Sequence, residues 1–163
     1  MITLPDGRQL YHTPAPDDEA SALAALQAFW VSATKSLFIV DYSFNLPIFE
    51  TVLPALKAKG IQVQLVLDRS QSKGTTEVPI ITALRAAGID MVIGTSSLHG
   101  IVHDKFSVVD GVDAEYGSFN YTSAAGKEDN FFFIEPNSVV ASDLLQIGNG
   151  IRDWILQNEP QVV

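Results

Sequence analysis

SLFIVDYSFNLPIFETVLPALKAKGIQVQLVLD, residues 36–68, decides the fold. Residues 36–42 (SLFIVDY) form a short apolar block rich enough in β-formers to be a buried strand. Residues 47–59 carry apolar side chains at helical spacing and stop at Gly60, the residue type that closes a helix in the left-handed region. Residues 61–68 (IQVQLVLD) then give a second strand. Strand, helix and strand at this length make a βαβ crossover, whose two strands run parallel.

Working outward, residues 10–13 suit a short strand, and Asp17 is positioned to cap a helix carrying Leu23, Leu26, Phe29 and Trp30. Residues 78–87 and 89–93 continue the helix–strand alternation downstream. The rhythm then changes. Residues 105–109 and 114–116 are short strands around Asp110-Gly111, a hairpin-turn signal that predicts an antiparallel pair. Residues 130–135 give a last strand, and Asn137 or Ser138 caps a final helix that Gly148 and Gly150 are expected to weaken or kink. The expected class is α/β: a mixed, mostly parallel sheet with helices on both faces, in one domain over residues 1–163.

The chain has 10 Lys+Arg against 19 Asp+Glu, a net charge of −9, 47% hydrophobic residues and no cysteine. It holds enough apolar material for a core without staples, and disulfides and thiolate metal sites are excluded. Residues 20–34 are free of charge but too short to span a bilayer. Acidic Asp17, Asp18 and Glu19 precede them where a signal peptide needs basic residues, so a cytoplasmic location without a membrane anchor is expected. Overall acidity argues against a general nucleic-acid or anionic-membrane binder, which uses a basic surface. The acidity is concentrated late: residues 99–163 hold 3 basic and 10 acidic side chains.

That acidic half also holds the chemistry, in residues 101–120 (IVHDKFSVVDGVDAEYGSFN). His103 and Lys105 are two apart at a strand start, so both point to one face and can address one anion. An imidazole can attack or protonate, and an ammonium beside it stabilises charge on a phosphoryl oxygen. Ser118 and Asn120 repeat the spacing one strand later and supply a hydroxyl and an amide. Asp110, an odd number of residues from Lys105, falls on the other face and reads as a structural acceptor in the turn. His99 and His103 are four apart, but Gly100 disfavours a helix there and no third ligand is evident, so no metal is expected. Arg69 and Lys73 sit in a polar loop at the carboxyl end of a strand, where substrate phosphates are expected. Core packing is expected for Phe131, Phe132 and Phe133.

His103-x-Lys105-x4-Asp110 followed by Gly117-Ser118-Phe119-Asn120-Tyr121-Thr122 resembles the phospholipase D superfamily, and most closely its single-motif nuclease branch. The resemblance runs over residues 18–156. It implies a metal- and cofactor-free phosphodiesterase in which His103 attacks phosphorus to give a phosphohistidine while Lys105, Ser118 and Asn120 hold the phosphoryl oxygens. It further implies a second histidine as general acid. Neither His12 nor His99 is followed by the lysine of the motif, so that acid is expected to be His103 of the partner subunit, in a homodimer with its active site on the two-fold axis. The branch has a glutamate after the second segment that orients the histidine; here Asp129 stands in that place with Glu128 beside it. The expected substrate is nucleic acid, DNA or RNA, cut with little sequence preference and bound in a salt-sensitive way. A phospholipid headgroup of the cardiolipin kind, or a dimeric binding module of a larger assembly, are the alternatives.

Overall fold

A computed structural model describes residues 1–161. Its elements run β1 (Ile2–Thr3), β2 (Gln9–Thr13), α1 (Glu19–Val31), β3 (Ser36–Asp41), α2 (Phe49–Ala58), β4 (Gln62–Asp68), α3 (Glu77–Ala86), β5 (Asp90–Gly94), β6 (Phe106–Val109), β7 (Asp113–Gly117), β8 (Asn130–Pro136) and α4 (Ser138–Asn158). The strands form one sheet in the order β1-β2-β8-β7-β6-β3-β4-β5. The class is α/β with a mixed sheet between helices, as expected.

The balance within that sheet is the reverse of the expectation. Only β3–β4 and β4–β5 pair in parallel, and the other five pairings are antiparallel. The βαβ unit supplies the parallel part. Hairpins and the long-range pairing of β2 with β8 supply the rest. Residues 110–112 connect β6 to β7, with positive φ at both Asp110 (54°) and Gly111 (73°) and the Val112 N–H donating back to the Val109 carbonyl at 3.1 Å.

Alternation along the strands sorts side chains between two cores. Leu37, Ile39, Leu65 and Leu67 face α1, α2 and α3 together with Trp30, Leu53 and Leu84. Phe38, Val40, Val66, Phe106 and Val108 face α4. Gly148 does not break α4. A Cβ there would run into Phe38 and Phe106, so the glycine lets the helix lie close on the sheet.

The cap of α1 is also corrected. Asp18, not Asp17, accepts from the Ser21 N–H at 2.8 Å. Asp17 is buried and holds the chain start instead, pairing with the N-terminal ammonium and accepting from the His12 N–H at 3.1 Å.

Candidate active site

The site forms where β3 and β4 end and β6 begins. Tyr42, the residue after β3, carries both members of the His-x-Lys pair. The His103 ring meets its ring edge-on at a centroid separation of 4.8 Å, and the Lys105 Nζ lies 5.2 Å from the same centroid. Lys105 Nζ also donates to the His103 carbonyl oxygen at 2.6 Å. The imidazole is exposed, whereas Lys105 is only 7% exposed. Burial pulls the Lys105 pKa below the ordinary lysine value, while Asp41 and Asp104 act to raise it.

The pair does not sit within a strand. β6 starts at Phe106, and His103 and Lys105 occupy the extended segment before it, because the partner strand β3 ends at Asp41. That segment is anchored by Asp68, the last residue of β4, whose Oδ2 accepts from the Val102 N–H at 2.8 Å. The same carboxylate accepts from the N–H groups of Ser70 and Gln71 and from the Ser70 hydroxyl. Sequence reasoning places ligand contacts near this strand end but misses Asp68 as the post that holds the histidine segment. The available signal is a lone aspartate ending an apolar strand, and Asp41 at the end of β3 is another case.

Ser118 and Asn120 follow β7. The Ser118 hydroxyl donates to Asn130 Oδ1 and accepts from the Phe131 N–H, each at 3.1 Å, so it ties β7 to β8. Asn120 is half-buried, and its Oδ1 is buried without a hydrogen-bond partner. Asp110 lies at the far end of β6. Its carboxylate accepts from the N–H groups of Thr34, Lys35 and Ser36 and from the Thr34 hydroxyl.

Glu128 and Asp129 are exposed just before β8, and neither carboxylate is hydrogen-bonded to His103 among the described residues. Arg69 is already engaged, with Nη2 2.6 Å from Glu159. Lys73 is exposed at the end of a 3-10 turn (Gln71–Lys73) and shares with Arg69 the wall of a cavity of about 300 Å³.

Beside His103 and Lys105 opens a shallow cleft of about 380 Å³, also lined by Phe106, Tyr116, Phe131 and Leu144. Phe131 corrects the expectation of core packing: it is 42% exposed, whereas Phe132 on the opposite face is fully buried. The contrast arises because α4 packs over β4–β7 on that face, leaving β8 less covered. Among the described residues, no three His, Asp or Glu side chains come together as a metal-ligating group, and no helix is long and apolar enough to cross a membrane.

A polar column runs from this site into the α1–α3 core. Trp30 Nε1 donates to Ser107 Oγ at 3.0 Å, and Ser107 donates to Glu115 Oε2 at 2.7 Å. The Tyr121 hydroxyl donates to the same carboxylate oxygen, and the Tyr121 N–H donates to Asp41 Oδ2 at 3.1 Å. Glu115 is buried, which pushes its pKa up to about 8 despite the two hydroxyl donors.

A family model described as "Cardiolipin synthase, PLD-like domain" matches residues 28–146. A phospholipase D of Rickettsia conorii is 32% identical over 114 residues, 69% of this chain and 55% of that protein. A mitochondrial cardiolipin hydrolase of Xenopus tropicalis is 30% identical over 112 residues, again 69% of this chain and 51% of the relative. The chain thus spans about half the length of these relatives. Among solved structures, the phospholipase D family member Nuc from Salmonella typhimurium superimposes with a TM-score of 0.81 at 28% identity, over 90% of this chain and 94% of that one. The matched residues contain Tyr42, His103, Lys105, Ser118 and Asn120, and the chain belongs to the phospholipase D superfamily.

Proposed function

We propose that residues 1–163 form one metal-independent phosphodiesterase domain that cuts nucleic acid with little sequence preference, from an active site shared by two subunits. The observation that carries this reading is the meeting of the exposed His103 imidazole and the tethered Lys105 ammonium on the Tyr42 ring, at the edge of an open cleft. A neutral imidazole nitrogen attacks phosphorus, a P–N bond forms, and the P–O bond to the departing alcohol breaks. His103 of the partner subunit gives that oxygen its proton. Water then attacks the phosphohistidine, its proton passing to the partner's His103 as the new P–O bond forms and the P–N bond breaks to release the first imidazole. Lys105 meets the phosphoryl oxygens as charge grows on them, and the Asn120 amide adds a donor. Ser118 reaches them only by giving up its bond to Asn130; Asp110 holds the hairpin, and Asp129 or Glu128 turns toward His103 when substrate is bound. Lys73, and Arg69 once released from Glu159, meet flanking phosphates. The similarity to Nuc over nearly its whole chain supports a compact nuclease.

The test is His103→Ala assayed in EDTA against single-stranded DNA, duplex DNA, RNA and cardiolipin vesicles, with mass-spectrometric trapping of a phosphohistidine in the wild type. A fall of at least about 10³-fold on nucleic acid is expected. Cleavage that survives the substitution overturns the reading. A second reading, hydrolysis of a phospholipid headgroup, is favoured by one observation: Leu98, 90% exposed, and Ile101 project from the turn that leads into His103. Turnover of cardiolipin but not of nucleic acid is the result that selects it.

A further inference from the structure

Asp41 is the last residue of β3 and is completely buried. The antiparallel register of β3 with β6 pairs Val40 with Phe106, so one step further along the two chains Asp41 lies opposite Lys105. Cross-strand neighbours on one face hold their Cβ atoms roughly 5 Å apart. Alternation puts both on the α1–α3 side of the sheet, on which Ile39 and Val109 lie. Only one carboxylate oxygen of Asp41 is hydrogen-bonded, to the Tyr121 N–H; Oδ1 is buried without a partner. A buried acid with an unused oxygen is costly unless a cation answers it. Lys105, in the extended segment that leads into β6, is the cation that faces it. The other ionisable groups around the pair are His103 and Asp104 beside Lys105, Tyr42 next in the chain, and Glu115 and Tyr121 behind Asp41.

We propose that Asp41 is a positioning residue: as the counter-charge facing Lys105, it strengthens the hold of the ammonium on its proton beside His103. It also limits the net positive charge of the empty site, so that a singly charged phosphodiester is accepted in preference to a doubly charged phosphate. The consequence for catalysis rests on the reading of Lys105 as the group that meets the phosphoryl oxygens; the electrostatic pairing does not. Burial raises the Asp41 pKa well above the carboxylate range, with the Tyr121 N–H and Lys105 pulling it down and Glu115 pushing it up. Burial lowers that of Lys105, and Asp41 pulls it back up. Each therefore acts on the protonation of the other, Lys105 favouring the Asp41 carboxylate and Asp41 favouring the Lys105 ammonium.

The experiment is an NMR titration of protein labelled with ¹³C at the lysine ε-carbon, the Lys105 signal being assigned by Lys105→Arg, in wild type and Asp41→Asn. The amide still accepts from the Tyr121 N–H; Asp41→Ser is the second variant should Asn fail to fold. Loss of the opposing charge is expected to lower the Lys105 midpoint by about one pH unit or more. A midpoint that stays in place in the folded variant overturns the proposal. In parallel, inhibition by inorganic phosphate is measured with bis(p-nitrophenyl) phosphate as substrate. Asp41→Asn is expected to tighten phosphate about tenfold, a factor in the range of one such charge interaction, and unchanged inhibition counts against the selectivity. If wild type fails to turn over the diester, the phosphodiesterase reading falls while the titration still decides the pairing.

Discussion

Two adjacent parallel strands end on aspartate, and the two ends behave differently. Asp68 closes β4 and Asp41 closes β3; both are completely buried. Asp41 lies opposite Leu67 in the ladder, so the two acids are one step out of register and fall on opposite faces. Asp68 is satisfied by four donors, from Ser70, Gln71 and Val102. Asp41 has one backbone donor and an unused oxygen. A saturated buried carboxylate fixes backbone, and an unsaturated one is left to answer a charge. The β4 end holds the segment that carries His103, and the β3 end faces Lys105 across the ladder.

The largest effect expected from this contrast is at Asp68. Asp68→Ala leaves the Val102 and Gln71 N–H groups and the Ser70 donors without their acceptor, at a cost of about 3–5 kcal/mol and a fall in Tm on the order of 10 °C. Asp41→Asn keeps its one bond to the Tyr121 N–H and orphans no backbone donor, so its stability change is expected to be smaller, within about 2 kcal/mol at pH 7. Denaturant unfolding of both variants checks the pair of values. Equal losses at the two ends would break the comparison.

Next comes the other acid behind Asp41. The Glu115 pKa is raised from 4.5 to about 8 in the folded chain, so the native state holds a proton that the unfolded chain gives up between those values. Stability is therefore complete below about pH 4.5 and falls as pH rises toward 8, with little further change above. Glu115→Gln, which carries no ionisable proton and still accepts from Ser107 and Tyr121, is expected to flatten this slope. Its advantage at pH 9 should be on the order of a few kcal/mol. Unfolding free energies at pH 5, 7 and 9 measure it, and parallel curves for the two proteins would show that Glu115 is ionised in the core throughout.

How much of this is legible in the sequence follows from how far apart the interacting residues lie. The βαβ unit of residues 36–68 and the Asp110-Gly111 hairpin depend on local pattern, and both are present. The antiparallel majority depends on β2 meeting β8, a pairing of Gln9 with Ile134 that no local period reports. Phe131 shows the same limit: alternation separates it from Phe132, but which face a helix covers is a tertiary fact. Of the candidate site residues, His103, Lys105, Ser118 and Asn120 are readable from spacing; the fold brings His103 and Lys105 together on Tyr42, while Ser118 is tied to Asn130. Asp41 and Asp68 read only as strand residues. Their difference lies in donors from Tyr121 and Val102, 80 and 34 residues away in the chain.

The smallest effect sharpens the comparison from the other end of β3. Asp110 is saturated like Asp68, with Thr34 Oγ1 at 2.6 Å and the N–H groups of Lys35 and Ser36 at 2.7 and 2.9 Å, but it lies in a partly exposed turn. Burial raises its pKa, yet together the Thr34 hydroxyl and the three N–H donors prevail and bring it down to about 2. A depressed carboxylate contributes stability that is present above its unfolded value of 3.8 and is lost as pH falls through about 2. Asp110→Asn is therefore expected to cost about 1 kcal/mol at pH 7, since water can replace part of what the carboxylate accepts. That deficit should shrink toward zero by pH 2, while the Lys105 midpoint stays where it is in the wild type. If this exposed acid proved as costly to neutralise as removing buried Asp68, donor count alone would set the value of such a carboxylate, and the burial that distinguishes the two β-strand ends from this turn would not matter.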